Sequence, residues 1–412
     1  MPSRILNRNF RLLSLATIIG AAGGIAAEFG LSFLVFEETE STLAAAFSLF
    51  IRIIPMLLVP LAAGPVLDRF SRKKVLVLSD TGNGLVYLGM GICLYQSGFS
   101  YPVYLLFSLI LSVCSSLDEL AFDSILPLCI TPGKEQKSYA LTSMIYPTLQ
   151  VIMMPAAVLL IAWAGLPGIL IGQSFLSFAA AFTESRIRIE KDAGIHLDSR
   201  KKKPSFSFSD WLEDQKEALR YLKHEPGILA MQIYSAVTNA AASACYPILV
   251  AFFSVTPRFS PFMYSWFTTF ECLGRVAGSI GLLRKDIDER FKYRFSMFVF
   301  TIYDLLDGIL LFSPYRLMLA NRSVCGFLGN ISYTIRTSAL QSYIPDGIRG
   351  RVNSFQSILL FFIQGAMVLA FGVLGDLFKP RTVMAIGALI CLIALGLTWG
   401  RQKQACEKIF HS

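Results

Sequence analysis

Charge is scarce in this chain. Only 16% of its 412 residues are Asp, Glu, Lys or Arg, while 54% are hydrophobic. An average soluble domain carries about a quarter charged residues, so a water-soluble protein of this length could not cover so much apolar surface. Histidine is nearly absent as well: His196, His224 and His411 all lie in polar stretches. That excludes a histidine proton relay inside a membrane and an H-E-x-x-H protease site. The eight cysteines stand singly, and no C-x-x-C pair occurs. Neither a zinc site nor a disulfide framework is indicated, and no metal or cofactor is expected. The net charge of +9 comes from short basic clusters between apolar runs, which is a topology signal and not a nucleic-acid face.

What the chain has in abundance is long apolar runs. A membrane-spanning helix needs about 20 largely apolar residues. Such runs predict helices near 11–36, 43–66, 74–95, 102–126, 139–163 and 166–184, then 227–253, 261–283, 293–313, 316–342, 353–375 and 381–400. The first begins behind Arg4, Arg8 and Arg11 and continues from Leu12 to Phe36. It is too long for a signal-peptide core and is expected to stay as the first span.

Lys and Arg mark the inner side of a membrane protein. One set of loops holds Arg69, Arg72, Lys73, Lys74, Lys134, Lys137, Arg284, Lys285, Arg290, Lys292, Arg294, Arg349 and Arg351, and the opposite set only Arg258, Arg316, Lys379 and Arg381. Both termini and the central polar stretch are therefore expected in the cytoplasm, in a multi-pass protein of the cell membrane. The stretch divides the chain into 1–184, a linker at 185–225, and 226–412. Within the linker, 192–209 reads as a flexible basic segment. From Asp210 a short amphipathic helix follows, with Trp211, Leu212, Ala218, Leu219 and Leu222 on one face. Its simplest role is to lie on the inner leaflet. Leu126-Pro127 and Ile344-Pro345 punctuate the two halves at matching places, as a duplicated six-helix unit would.

The sharpest local signal is Gly64-Pro65-Val66-Leu67-Asp68-Arg69-Phe70-Ser71-Arg72-Lys73-Lys74, between the second and third helices. Gly64 permits close helix approach, Asp68 can sit against a positive helix N-terminus, and the basic residues can pair with acids nearby. This segment resembles the loop signature G-x-x-x-D-R-x-x-R-[KR] of the major facilitator superfamily. Pro345-Asp346-Gly347-Ile348-Arg349-Gly350-Arg351-Val352-Asn353-Ser354 and the stretch from Asp210 to Pro226 resemble segments of its macrolide-efflux-like, drug:proton antiporter branch. The glycines that flank the helix 5 proline in many exporters are missing around Pro155, which weakens a reading of transport direction.

The resemblance implies an all-α integral membrane fold of twelve transmembrane helices in two six-helix bundles around a central cavity. It also implies a cytoplasmic gate made of Gly64, Asp68, Arg69, Arg72, Lys73, Asp123, Arg349 and Arg351, with Asp123 in a charge relay with Arg72.

Charges inside the spans each cost about 2.5–3.5 kcal/mol on insertion scales, so each needs a partner or a task. Glu28 and Arg52 lie at matching depth on adjacent helices. Asp118 and Glu119 lie in the inner half of helix 4, above Asp123, and Asp80 is read as a further partner of the gate cluster. Glu271 and Arg275 are i,i+4 and read first as a pair within one helix. Asp304 and Asp307 sit near the middle of helix 9, where they either neutralise Arg275 or Arg336 or serve the cavity. The candidates for proton coupling or the substrate cavity are thus Glu28, Arg52, Asp118, Glu119, Asp304 and Asp307. Glu28 and Asp118 lead, because a carboxyl in a low-dielectric cavity can bind and release protons.

The expected function is secondary-active transport by alternating access: proton-coupled efflux of a hydrophobic or amphipathic small molecule by a monomer. Lipid or lysolipid movement is the alternative within transport. A polytopic membrane enzyme would usually show a His–Asp pair or an acidic metal motif at the membrane surface, and no His–Asp pairing in or near the membrane occurs. A non-transporting sensor of the same fold is the third reading.

Overall fold

A computed structural model describes residues 7–69, 71–131, 134–188, 208–284 and 289–410. Among these the chain is all-helical, without a strand. Its elements are α1 (Arg8–Thr39), α2 (Thr42–Arg69), α3 (Arg72–Ser97), α4 (Tyr101–Cys129), α5 (Glu135–Ser185), α6 (Phe208–His224), α7 (Pro226–Val255), α8 (Pro261–Arg284), α9 (Glu289–Ile309), α10 (Tyr315–Tyr343), α11 (Asp346–Leu377), α12 (Pro380–Leu395) and α13 (Lys403–Phe410). Nine helices among the described residues are long and apolar enough to cross a membrane.

Two differences from the expected pattern have physical causes. The fifth and sixth predicted helices run together as α5, whose 51 residues would extend about 75 Å at 1.5 Å per residue, far beyond a bilayer. Gly165 breaks it, with φ 68° and ψ 163°, a left-handed conformation that costs glycine nothing. Pro167 restarts the helix two residues on. Second, α8 and α10 do not count among the nine. In α10 the reason is visible in its residues: Arg316, Asn321, Arg322, Asn330 and Arg336 lower its hydropathy.

The contacts divide the chain into two compact units, Met1–Leu31 with Ile51–Ser207, and Ser32–Phe50 with Phe208–Ser412. In the first, α3 packs between α4 and α5. Tyr87, Met90, Leu111 and Leu170 fill one cluster, and Phe10, Leu76, Ile125 and Ile187 another. In the second, Trp399 is fully buried beside Tyr293, whose hydroxyl donates to the Trp399 carbonyl at 3.0 Å. The amphipathic linker helix α6 joins this unit, with Ala218 and Leu222 fully buried. It docks on α7 and α11 through these residues, while Leu212 on the same face stays exposed.

In this unit α8 and α10 pack backbone to backbone. Gly278 lies where a Cβ would come within 2.6 Å of the Phe327 carbonyl oxygen, and Gly274 and Gly326 sit more tightly still against the Ser323 and Glu271 carbonyls. Small residues four apart let helix backbones approach in a membrane. The approach carries Glu271 and Arg275 to the edge of the cavity described next.

Candidate functional site

A cavity of about 360 Å³ lies within the second unit, between α7, α8, α9 and α10. Its polar lining comes from Thr238 and Asn239 of α7, Glu271 and Arg275 of α8, Asp304 of α9, and Asn330 and Arg336 of α10. Tyr234, Phe300, Tyr303 and Tyr333 supply aromatic walls. A small cavity with several convergent polar groups among aromatic rings has the character of a small-molecule site.

The charges in and around it are mostly matched. Arg275 donates to Glu271 at 2.6 Å across one helical turn, the intrahelical pair expected from their spacing. Asp304 is 3% exposed and accepts a hydrogen bond from the Tyr234 hydroxyl at 3.2 Å. Asp307 pairs with Arg322 of α10, a residue the sequence reading passed over. Arg322 also lies 5.4 Å from the Phe267 ring centroid, and its neighbour Asn321 donates to the Leu306 carbonyl at 2.8 Å. Asp307 is therefore taken by Arg322, and neither helix 9 aspartate neutralises Arg275 or Arg336. Arg336 is 6% exposed and lies over Phe300 and Tyr333, 5.8 and 5.7 Å from the two ring centroids.

The first unit contains a second group of charges. Arg52 donates to Glu28 at 3.0 Å, as their matching depth predicted. The backbone carbonyl of Arg52 accepts from Ser112 of α4 at 2.7 Å. Asp118 stands elsewhere. One of its oxygens is buried with no hydrogen-bond partner among the described residues, and its carboxyl group interacts electrostatically with Asp80 and Glu184. Asp80 thus stands with Asp118 and Glu184. Glu184, only 4% exposed, was missed because it stands at the edge of the polar linker, where a glutamate looks solvated. Glu119 and Asp123 are exposed and lie one turn apart on α4.

The expected gate is only partly within reach of description. Gly64, Asp68 and Arg69 lie on the last turns of α2, but their side chains lie outside the described residues. Arg72 donates to the Ser124 carbonyl at 3.2 Å, next to Asp123. Lys73 reaches the Ser185 carbonyl at 2.6 Å, joining α3 to the end of α5. Arg349 donates twice to the Ile344 carbonyl, at 3.2 and 2.9 Å, and so satisfies an orphan acceptor at the end of α10. Arg351 binds α6 instead, bridging Asp214 and Glu217 at 2.7 Å each, while Gln215 donates to Ser354 at 3.1 Å.

Among the described residues no three His, Cys, Asp or Glu side chains converge to hold a metal ion.

The model of the Major Facilitator Superfamily matches residues 6–303. Comparison with curated proteins gives no match. Among solved structures, the chain is similar to a bacterial homologue of the iron transporter ferroportin in an inward-facing state, with a TM-score of 0.68 and 18% identity over 95% of this chain and 98% of that one. A bacterial metal transporter aligns with a TM-score of 0.64 and 16% identity over 99% of both chains. The nucleoside transporter NupG aligns at 0.66 and 13%, over 96% of this chain and 99% of that one. At these identities the likeness concerns the fold.

Proposed function

Because the chain belongs to the Major Facilitator Superfamily and is a multi-pass membrane transporter, we propose that it carries a small amphipathic molecule by alternating access, with protons as the coupling ion. The observation that carries this reading is the α7–α10 cavity, where charged groups and aromatic walls face one small volume. Such a lining suits a molecule with both a polar head and an apolar body, and it suits neither a bare ion nor a wholly apolar compound. Taking α5 as two spans about Gly165, and adding α8 and α10 to the nine apolar helices, makes twelve spans, in keeping with two six-helix bundles. The loop charges support cytoplasmic termini and a cell-membrane location. The segment around Arg349 and Arg351 supports the macrolide-efflux-like branch and, with it, efflux by a monomer.

Proton coupling rests on Asp118. It is a desolvated carboxyl among other acids, with a buried oxygen that no hydrogen bond satisfies among the described residues, and such a group is suited to exchanging protons. The test is transport in proteoliposomes under an imposed pH gradient. The panel takes amphipathic cations, macrolides and lysolipids, together with the iron and nucleosides named for the structural neighbours. The reading expects an amphipathic compound to accumulate and a protonophore to abolish the accumulation. Gradient-independent uptake of iron or nucleosides alone would contradict it.

A further inference from the structure

We propose that the α7–α10 cavity recognises an anionic group, a carboxylate or phosphate on a small organic molecule, with Arg336 as its counter-ion. This rests on the reading of that cavity as the cargo site and adds the chemical class of the cargo.

The argument is one of unmatched charge. Glu271 and Arg275 hold each other at 2.6 Å. Asp307 holds Arg322. Asp304 accepts the Tyr234 hydroxyl. Arg336 lines the same cavity at 6% exposure. Among the described residues no carboxylate comes within ion-pair distance of it; the rings of Phe300 and Tyr333 lie over it, and Tyr234 interacts with it electrostatically. A buried guanidinium keeps its charge, and aromatic faces offset only part of the cost of removing it from water. What it lacks is an acceptor for its planar fork of donors, which carboxylate and phosphate fit with two parallel bonds.

The rest of the lining agrees. Asn239 and Asn330 are already tied, donating to the Ser235 carbonyl at 2.7 Å and to Ser279 at 2.8 Å. They therefore hold fixed polar edges on the cavity wall. Phe300, Tyr303 and Tyr333 offer apolar surface for the body of the molecule. A volume of about 360 Å³ is near the lower end for small-molecule sites. A metal cation would meet two guanidinium groups here, and Glu271 is already engaged by one of them.

The experiment uses the full-length protein purified in detergent. Thermal stability is measured with phenyl phosphate, indole-3-acetate, their uncharged counterparts phenol and indole-3-ethanol, and tetraphenylphosphonium. A separate arm adds lysophosphatidylglycerol, to tell a lipid headgroup from a soluble phosphate. Stabilisation by the anions at concentrations at least tenfold below those needed for their uncharged counterparts is expected. Arg336→Gln should abolish the difference, and Arg336→Lys should leave part of it. Should Arg336→Gln fail to fold, the paired compounds on the unaltered protein decide the matter. Equal effects of charged and uncharged members, preference for the phosphonium, or no stabilisation by any anion would each overturn the proposal.

Failure of the cargo-site reading is distinguished by Ala242→Phe, which fills the cavity. If that variant folds and still transports, the cavity is not the cargo site, whatever it binds. If it stops transport while no anion binds, only the anionic class falls.

Discussion

Asp376, at the end of α11, caps the start of α2 at Thr42. Its carboxylate accepts from the Thr42 backbone N–H and hydroxyl, both at 2.6 Å, and from the Leu43 N–H at 3.3 Å and the Ser41 hydroxyl at 2.7 Å. The N-terminal amides of a helix have no partner inside it; Ser41 caps one of them at the Ala44 N–H, at 3.1 Å, and α11 supplies acceptors for the others. Gly372 and Gly375 bring the backbones close enough for this. The Thr42 hydroxyl also reaches the Gly372 carbonyl at 2.9 Å, and a Cβ on Gly375 would strike Thr42.

This contact lies within the second unit, where it fixes the first turn of α2 against α11. Removing a negative charge from a helix N-terminus costs about 0.3–1 kcal/mol, and up to ~2 kcal/mol where partly buried, enough to change a two-state equilibrium roughly 2- to 30-fold. Asp376→Asn should lower the melting temperature and speed substrate exchange in proteoliposomes. A variant that melts lower yet exchanges at the original rate would assign the contact to stability alone.

Glu28 and Arg52 form a partly buried pair, 44% and 34% exposed. Its loss should matter through the unpaired arginine more than through the lost attraction. Glu28→Gln should at least halve the folded yield, read by size-exclusion chromatography. Glu28→Gln with Arg52→Gln should recover part of it. No recovery in the double variant would show that the two residues are not coupled.

The Asp118 prediction separates coupling from folding. Asp118→Asn should express normally and retain downhill exchange of the cargo. Accumulation driven by a pH gradient should fall at least tenfold, measured against the same gradient in unaltered protein. If Asp118→Asn still concentrates cargo, Glu184 or Asp304 becomes the next residue to test.

Arg351 should act as a tether for α6. The pairs with Asp214 and Glu217 are substantially exposed, and such pairs contribute about 0–1 kcal/mol each, so Arg351→Gln should barely change the melting temperature. Hydrogen exchange in Phe208–His224 should nonetheless rise several-fold. Unchanged protection there would assign the docking of α6 to Ala218 and Leu222 alone.

Much of this fold was legible because membrane helices announce themselves by length and apolarity. The Glu28–Arg52 and Glu271–Arg275 pairs followed from depth and from i,i+4 spacing. The Asp307–Arg322 pair did not, although α9 and α10 are joined by a short turn around Ser313-Pro314. Arg322 lies inside the expected helix at 316–342, and no spacing within one helix links it to Asp307. The grouping of Asp80 with Asp118 and Glu184 joins three helices and has no local signature. Gly274 and Gly278 did carry a signal, two glycines four apart on one face of α8, that would have brought α10 against it and located the cavity wall.

The account's central claim is that the α7–α10 cavity is a cargo site exposed in turn to each side of the membrane. It is tested most directly with a single cysteine at Thr238, on the cavity wall, in a background without the native cysteines. Small impermeant thiol reagents are applied to right-side-out and to inside-out vesicles. The account predicts labelling from both sides, slowed in each case by the compound that the protein transports. Labelling from one side only, under every gradient and with cargo present or absent, would contradict it.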